Sequence, residues 1–318
     1  MGGRFAALCA VLLISTAAYA GPPPVSWPED DHLLLVSAGE PVPVIVANAG
    51  DIDSQLAAVE RALKAFRLSG KLRRLGEAQA LLDAVALGDD SAAAQRWRSA
   101  FLRSQLLQSQ HRFEEADQQL RVAAALLPEL DDKPQQLAMK RQWLLAAYHL
   151  SLVQGKYTQA QQHCKALSSS SSPLYSRGCA LYLQAVVEQS TEAYRQLTAL
   201  LSGSLLRDGV ALHWLAVSRA DVADRLAPDE ALPAWRMALA LSPADRYSQS
   251  RYCDAALAAD NPSLALGISA EKTDDEALLI CRLVALHRLG EELSPAQKSE
   301  AGQLQATLEQ RLDEAQRR

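Results

Sequence analysis

The stretch that decides the fold is residues 112–128, RFEEADQQLRVAAALLP, which returns in altered form at residues 228–243, PDEALPAWRMALALSP. In both stretches two acidic residues precede an alanine, and a proline follows that alanine twelve positions later. The apolar residues between them recur at intervals of three and four, which places their side chains on one face of a helix. Acidic residues suit the first turn of a helix, and proline is common just after one. The stretch therefore predicts a short helix that is repeated along the chain.

The composition of the 318-residue chain points the same way. Hydrophobic residues make up 49% and aromatic residues only 5%, and the apolar fraction consists mainly of Ala and Leu, which favour helices. The net charge is −5, and the basic run at residues 71–74 is followed closely by Glu77. Nucleic-acid binding needs Lys and Arg clustered on one face. We therefore expect an all-α protein and no nucleic-acid partner.

The alanine that marks the repeat can be followed through most of the chain. It is found at Ala78, Ala116, Ala160, Ala193, Ala231 and Ala265, at intervals of 33 to 44 residues. Start signals agree with these positions, since Asn261 and Ser172 each precede a proline and Ser294 is followed three residues later by Gln297. The pattern predicts helical hairpins stacked in series, because one hairpin cannot bury its apolar face alone.

The repeat resembles the tetratricopeptide family, whose helix-turn-helix unit has about 34 residues. The residues that match are Gly155, Tyr157 and Ala160 in one unit, Phe113, Ala116, Ala123 and Pro128 in a second, and Ala231, Ala238 and Pro243 in a third. The large residues of the first helix in the family are mostly missing, so the repeats are degenerate. The resemblance implies a right-handed α-α superhelix of six to seven hairpins over residues 51–318, whose concave face is lined by the first helix of each hairpin.

The N-terminus predicts export. Arg4 precedes an apolar run at residues 5–18, and Ala18-Tyr19-Ala20 matches a signal-peptidase site. We therefore assign residues 1–20 to a signal peptide and expect a periplasmic protein without stable membrane insertion, an uncleaved anchor being the alternative. Residues 21–50 are rich in proline and are expected to form an extended arm.

Four cysteines remain after cleavage, and an even number in an exported protein suggests disulfides. Sequence alone allows three pairings. The register of the repeat places Cys164 and Cys179 at nearly equal distances from the serine-rich turn between two antiparallel helices, which favours that pair. Cys253 and Cys281 fall in the first helices of adjacent repeats and form the second expected pair. Four buried free thiols are the alternative.

The same register, with the concave face that the resemblance implies, yields a candidate binding groove. Its predicted residues are Phe101, Gln105, His149, Tyr175, Tyr182, His213, Tyr247 and Asp254. Aromatic and polar side chains in one stripe suit a peptide or protein segment. The alternative is that several of them belong to the core between helices. The clamp of Asn and Lys or Arg that chaperone-binding family members use is missing.

Sequence motifs for catalysis or cofactor binding are not found. His163 and Cys164 suggest a metal ligand pair, but the usual zinc spacings are missing, so we expect neither metal nor cofactor. Carboxylate pairs such as Glu114-Glu115 and Asp229-Glu230 lie at predicted helix starts, where the helix dipole explains them. We therefore expect a non-catalytic interaction scaffold. The alternatives are a structural or secretion-accessory subunit that assembles through its ends, and a helical enzyme of envelope metabolism.

Overall fold

The expected all-α fold is confirmed. The computed structural model describes residues 51–88, 91–168, 173–202, 209–270 and 275–316, and these contain fourteen α-helices and no strand. In chain order the helices are α1 (Ile52–Ser69), α2 (Leu72–Ala84), α3 (Ala93–Ser109), α4 (Phe113–Leu126), α5 (Lys133–Val153), α6 (Tyr157–Ser168), α7 (Pro173–Val187), α8 (Thr191–Ser202), α9 (Gly209–Leu226), α10 (Pro228–Leu241), α11 (Arg246–Ala258), α12 (Pro262–Ser269), α13 (Glu276–Leu289) and α14 (Pro295–Gln316). The predicted signal peptide and arm, residues 1–50, lie outside the described residues.

The helices form seven consecutive hairpins, each made of an odd-numbered helix and the even-numbered helix that follows it. Every helix packs against the next one in the chain, and α1, α7 and α11 also contact the next odd-numbered helix. This arrangement is a solenoid, in which stability comes mainly from interfaces between neighbours.

The marker alanines occupy equivalent places in this solenoid. All six are buried, and each lies in an even-numbered helix. Ala116, Ala160, Ala231 and Ala265 each hold the fourth position of their helix, and Ala193 holds the third position of α8. A methyl group at this position lets the two helices of a hairpin approach closely, which explains why alanine repeats there.

The turn inside the hairpins also repeats. A residue with positive φ follows six of the odd-numbered helices, at Gly70, His111, Gly155, Gln189, Asp260 and Gly290. Backbone amides close several of these turns in the same way, as Arg112 N bonds Leu107 O at 2.9 Å and Lys156 N bonds Ser151 O at 2.8 Å. This bond to the fifth residue back is the hydrogen-bond pattern of a Schellman C-cap. The turn after α11 closes in the same way, from Asn261 N to Ala256 O at 2.9 Å, so three hairpins share this turn although only one of them places glycine there.

Helix starts follow the sequence signals where the structure describes them. Asn261 caps α12 by accepting from Leu264 N at 3.0 Å, and Pro262 begins the helix. Ser294 and Gln297 form the reciprocal capping box of α14, with side-chain to backbone bonds of 3.3 Å and 2.9 Å. Asp275 caps α13 by accepting from Leu278 N at 3.1 Å. Ser172, another predicted cap, lies outside the described residues.

Both predicted disulfides are present. Cys164 of α6 is bonded to Cys179 of α7, with a Cα–Cα distance of 5.9 Å. Cys253 of α11 is bonded to Cys281 of α13, with a Cα–Cα distance of 6.3 Å. Each bridge ties one hairpin to the next. Disulfides persist in oxidising compartments, so the two bridges indicate an exported protein.

The superhelix is tightly coiled, and odd-numbered helices from hairpins that are not neighbours meet inside it. Trp214 of α9 donates its indole N–H to His149 of α5 at 3.3 Å, which joins the third and fifth hairpins. Arg246 of α11 donates to the carbonyl oxygen of Leu68 in α1 at 2.9 Å, which joins the first and sixth hairpins. Among the described helices, none is long and apolar enough to cross a membrane.

Candidate functional site

The residues predicted to line a concave groove lie inside the coil. Phe101, Gln105, His149, Tyr175, Tyr182 and His213 are all buried, Tyr247 is partly buried, and Asp254 is exposed. They do come from odd-numbered helices, as expected. However, because the inner faces of those helices pack against one another, six of the eight side chains are not presented to solvent. This placement agrees with the alternative that several of them belong to the core, and peptide binding on this face stays a prediction.

A buried carboxylate, Asp221 of α9, organises the inner face. Its side chain is only 3% exposed. Tyr182 of α7 donates its hydroxyl to Asp221 at 2.7 Å, and Tyr247 of α11 approaches the second carboxylate oxygen at 3.5 Å. Arg225, one turn further along α9, lies 3.3 Å away. Asp221 thus connects three successive odd-numbered helices.

Burial sets the protonation of this network. It raises the pKa of Asp221, while the nearby Arg225 guanidinium works against the increase. It also raises the pKa values of Tyr182 and Tyr247 well above the usual range, with a further contribution from the Asp221 charge. The phenols therefore stay neutral and can act as hydrogen-bond donors to the carboxylate. Every polar group of the network has a partner within it, which is typical of a structural element.

A second group of charges lies beside this network. Arg251 of α11 pairs with Asp224 of α9, and Trp235 of α10 donates its indole N–H to the same carboxylate at 3.0 Å. The Arg251 guanidinium also lies 5.9 Å from the Trp235 ring, in cation–π range. Arg251 also binds Asp254 of the predicted groove at 3.2 Å. Together these contacts link hairpins five and six.

The sequence analysis did not single out Asp221, Asp224, Arg225 or Arg251. A local signal was available, because Asp221 and Arg225 are four residues apart in a helix that is otherwise largely apolar. A charged pair at this spacing is ordinary on an exposed face, however. Only the position of α9 between α7 and α11 makes this pair an internal junction.

The histidines differ in environment. Burial lowers the pKa of His149 to about 3, so it is neutral and accepts from Trp214. Burial also lowers the pKa of His213, while Asp245, 3.8 Å away, opposes the decrease. His163 packs edge-on against Trp143, and the adjacent Cys164 is in a disulfide. Within the described ranges, no three His, Cys, Asp or Glu residues are grouped so that they could hold a metal ion.

The outer surface carries a groove of about 340 Å³ in the second hairpin. Its lining residues are Leu87, Gly88, Arg96, Ser99, Ala100, Gln119, Val122 and Leu126. Val122 of α4 is 45% exposed, and it lies one helical turn before the buried Leu126. Arg96, at the edge of the groove, is held by a 2.6 Å ion pair with Glu129. The groove therefore combines an apolar surface with polar groups around it.

Comparison with known proteins does not extend these observations. No protein-family model matches the chain, and the search of curated proteins found no similar sequence.

Proposed function

We propose that this chain is an exported, non-catalytic scaffold of the bacterial periplasm that binds a segment of a partner protein. Its helical hairpins, held together by two disulfides, form a rigid support of the kind that interaction scaffolds use. The signal-like N-terminus supports the periplasmic assignment. The resemblance of the repeats to the tetratricopeptide family supports the class of function.

The observation that carries the proposal is the outer groove between α3 and α4. Exposed apolar surface bordered by polar groups is typical of protein-binding sites. Val122 provides the exposed apolar contact for a side chain of a bound segment, and the largely buried Leu126 and Ala100 line the groove beside it. Gln119, which is partly exposed, provides a polar group that can hydrogen-bond the backbone of that segment. The groove volume of about 340 Å³ suits a short segment rather than a domain.

The inner face supports a structural role rather than a catalytic one. Asp221, a buried carboxylate of this face, is engaged by Tyr182 and Arg225. His149 is neutral and accepts a hydrogen bond from the indole N–H of Trp214. These groups stabilise the coil, so the proposed function places the partner on the outside.

The test selects peptides that bind the oxidised chain from a display library. The affinity of the selected peptides is then measured for two variants of the chain. Val122→Asp places a charge in the groove, whereas Val187→Asp places the same charge at a residue of α7 that is 49% exposed. We expect selected peptides to lose at least about tenfold in affinity with Val122→Asp, which is about 1.4 kcal/mol, and to keep their affinity with Val187→Asp. Equal binding to both variants, or no selected peptide, would overturn the proposal.

The rival role is a subunit that assembles through its ends. The last helix, α14, carries Lys298, Gln303 and Gln310 on its exposed surface, which supports a solvent-facing cap rather than an interface. Light scattering separates the two roles, because the scaffold proposal expects a monomer and end-to-end assembly expects a stable oligomer.

A further inference from the structure

The first and sixth hairpins touch although 178 residues separate the contacting positions. The Nε atom of Arg246, the first residue of α11, donates to the carbonyl oxygen of Leu68 near the C-terminal end of α1, at 2.9 Å. The last carbonyl groups of a helix have no partner within it, and the helix dipole favours a cation there. Arg246 therefore gives the Leu68 carbonyl oxygen a hydrogen-bond donor that α1 alone does not supply.

The same guanidinium reaches a third helix. Its NH1 atom lies 3.9 Å from the carboxylate of Asp275, whose side chain is 13% exposed and caps the start of α13. Gly70, in the turn after α1, lies against the same carboxylate, since a β-carbon at residue 70 would lie 3.5 Å from Asp275 Oδ2. One arginine thus joins the end of α1 to the starts of α11 and α13.

We propose that Arg246 is a latch that holds the superhelix closed, and that its release separates α1 from α11 without unfolding the hairpins. The stability of a solenoid is a sum of interfaces between neighbouring hairpins. The first and sixth hairpins are not neighbours, so loss of their contact leaves every neighbour interface in place. The open chain therefore remains folded, with a longer distance between its first and sixth hairpins.

The apolar cores show which part of the coil stays together when the latch opens. The contact between Trp214 and His149 joins hairpins three and five beside one large apolar core that runs through the middle of the chain. A smaller core joins hairpins one and two through Leu102 and Leu106 of α3, and another joins hairpins two and three. The opening is therefore a change of angle between the first hairpins and the middle of the chain, during which these neighbour interfaces stay packed.

Release of Arg246 from α1 would expose polar side chains of the inner face to water. Gln105 of α3 and Gln249 of α11 are both buried and both lie on odd-numbered helices close to the latch. Exposure of amide side chains to water costs little, because water replaces their hydrogen bonds. The inner face near the latch is therefore compatible with both a closed and an open state.

The experiment compares amide hydrogen exchange and the radius of gyration of the full oxidised chain with those of Arg246→Ala. The control is Arg236→Ala, which removes an exposed arginine from α10. We expect exchange at residues 64–70 and 246–250 to accelerate at least tenfold in Arg246→Ala, with unchanged protection in α5 to α9 and a larger radius of gyration. The control is expected to match the unmodified chain.

Two results would overturn the latch. Unchanged exchange and radius in Arg246→Ala would mean that the contact does not hold the coil closed. A uniform loss of protection from α1 to α13 would mean that the contact belongs to the global fold. If Arg246→Ala does not fold, Arg246→Lys, which keeps the charge but loses the guanidinium geometry, is judged by the same two criteria. The groove test does not depend on this result, because the groove lies within the second hairpin.

Discussion

The backbone of Gly178 in α7 lies directly against the indole ring of Trp214 in α9. A β-carbon at residue 178 would stand 2.6 Å from Trp214 Cζ3 and 2.7 Å from Leu215 Cδ2. Real atoms do not approach so closely, so the two helices reach their observed spacing only with glycine at this place. Because Trp214 also holds His149 of α5, this close approach sets the packing of three consecutive odd-numbered helices.

The first prediction concerns that contact. Gly178→Ala forces the methyl group into the buried indole and is expected to lower the free energy of unfolding by about 1–3 kcal/mol. The control is Gly76→Ala in α2, where a β-carbon meets nothing within 4 Å. There alanine removes backbone entropy from the unfolded chain and is expected to stabilise by about 0.5–1 kcal/mol. Denaturant unfolding measures both, and equal effects of the two changes would contradict the packing argument.

The second prediction concerns the turn that recurs inside the hairpins. Asp260 has φ of 52°, a left-handed conformation that glycine adopts without strain. Asp260→Gly is expected to raise the free energy of unfolding by about 1 kcal/mol, and Gly155→Ala, at φ of 70°, to lower it by a similar amount. Asp260→Ala is the control, since it removes the carboxylate but keeps a β-carbon. If Asp260→Ala stabilises as much as Asp260→Gly, the effect is due to charge and not to the backbone.

The third prediction is a pH dependence that arises from His149. Its pKa in the folded chain is about 3, against an ordinary value of 6.5. Between these values the unfolded chain binds a proton that the folded chain does not bind. The free energy of unfolding therefore falls as the pH falls from 6.5 toward 3, by up to about 1.4 kcal/mol per pH unit.

His149→Gln isolates this contribution, because glutamine can still accept from Trp214 but does not titrate. We expect its free energy of unfolding to fall less steeply between pH 6.5 and pH 4 than that of the unmodified chain. The other buried histidine, His213, is present in both chains and cancels in the comparison. Parallel pH profiles would show that His149 is not buried in its neutral form.

The fourth prediction concerns Asp221 and Tyr182, whose hydrogen bond is 2.7 Å long. A double-mutant cycle with Asp221→Asn and Tyr182→Phe is expected to give a coupling of at least about 1 kcal/mol, because both groups are buried. The control is a second cycle that combines Asp221→Asn with Tyr194→Phe. The hydroxyl of Tyr194 donates to Glu230 and not to Asp221. Its coupling with Asp221 is expected to lie within about 0.5 kcal/mol of zero. Equal couplings in the two cycles would remove the specific role of the Asp221 network.

The fifth prediction concerns the bridge between α6 and α7. Replacing Cys164 and Cys179 together by alanine opens a loop of 15 residues, which is expected to cost about 3 kcal/mol of stability. Thermal and denaturant unfolding of the double variant measure the loss. The change should be largest in hydrogen exchange of α6 and α7, and an unchanged midpoint would show that the neighbour interface alone holds these helices.

Local features of the sequence predicted local features of the fold. The recurring alanine of the even-numbered helices α2 to α12 and the cysteine register depend on residues within one or two hairpins, and the structure confirms the helices and the two bridges that they predict. The membership of the tetratricopeptide family stays a prediction, as does the binding function.

The inner face could not be predicted in the same way. Whether His149 and Tyr182 face a groove or a core depends on how far each hairpin rotates relative to the last. Small rotations add up over the solenoid, so Arg246 meets Leu68 although no pattern relates positions 178 residues apart. The network of Asp221 depends on the same summed rotation, since its partners lie on α7 and α11.

The two disulfides have a consequence for how the chain matures. In the described part of the chain, each bridge joins cysteines that are consecutive in the sequence, first Cys164 with Cys179 and then Cys253 with Cys281. A chain that enters an oxidising compartment with its N-terminus first presents the first pair before the second pair has arrived. Each cysteine thus meets its correct partner first, and the order of the residues itself steers oxidation toward the native pairing without later reshuffling.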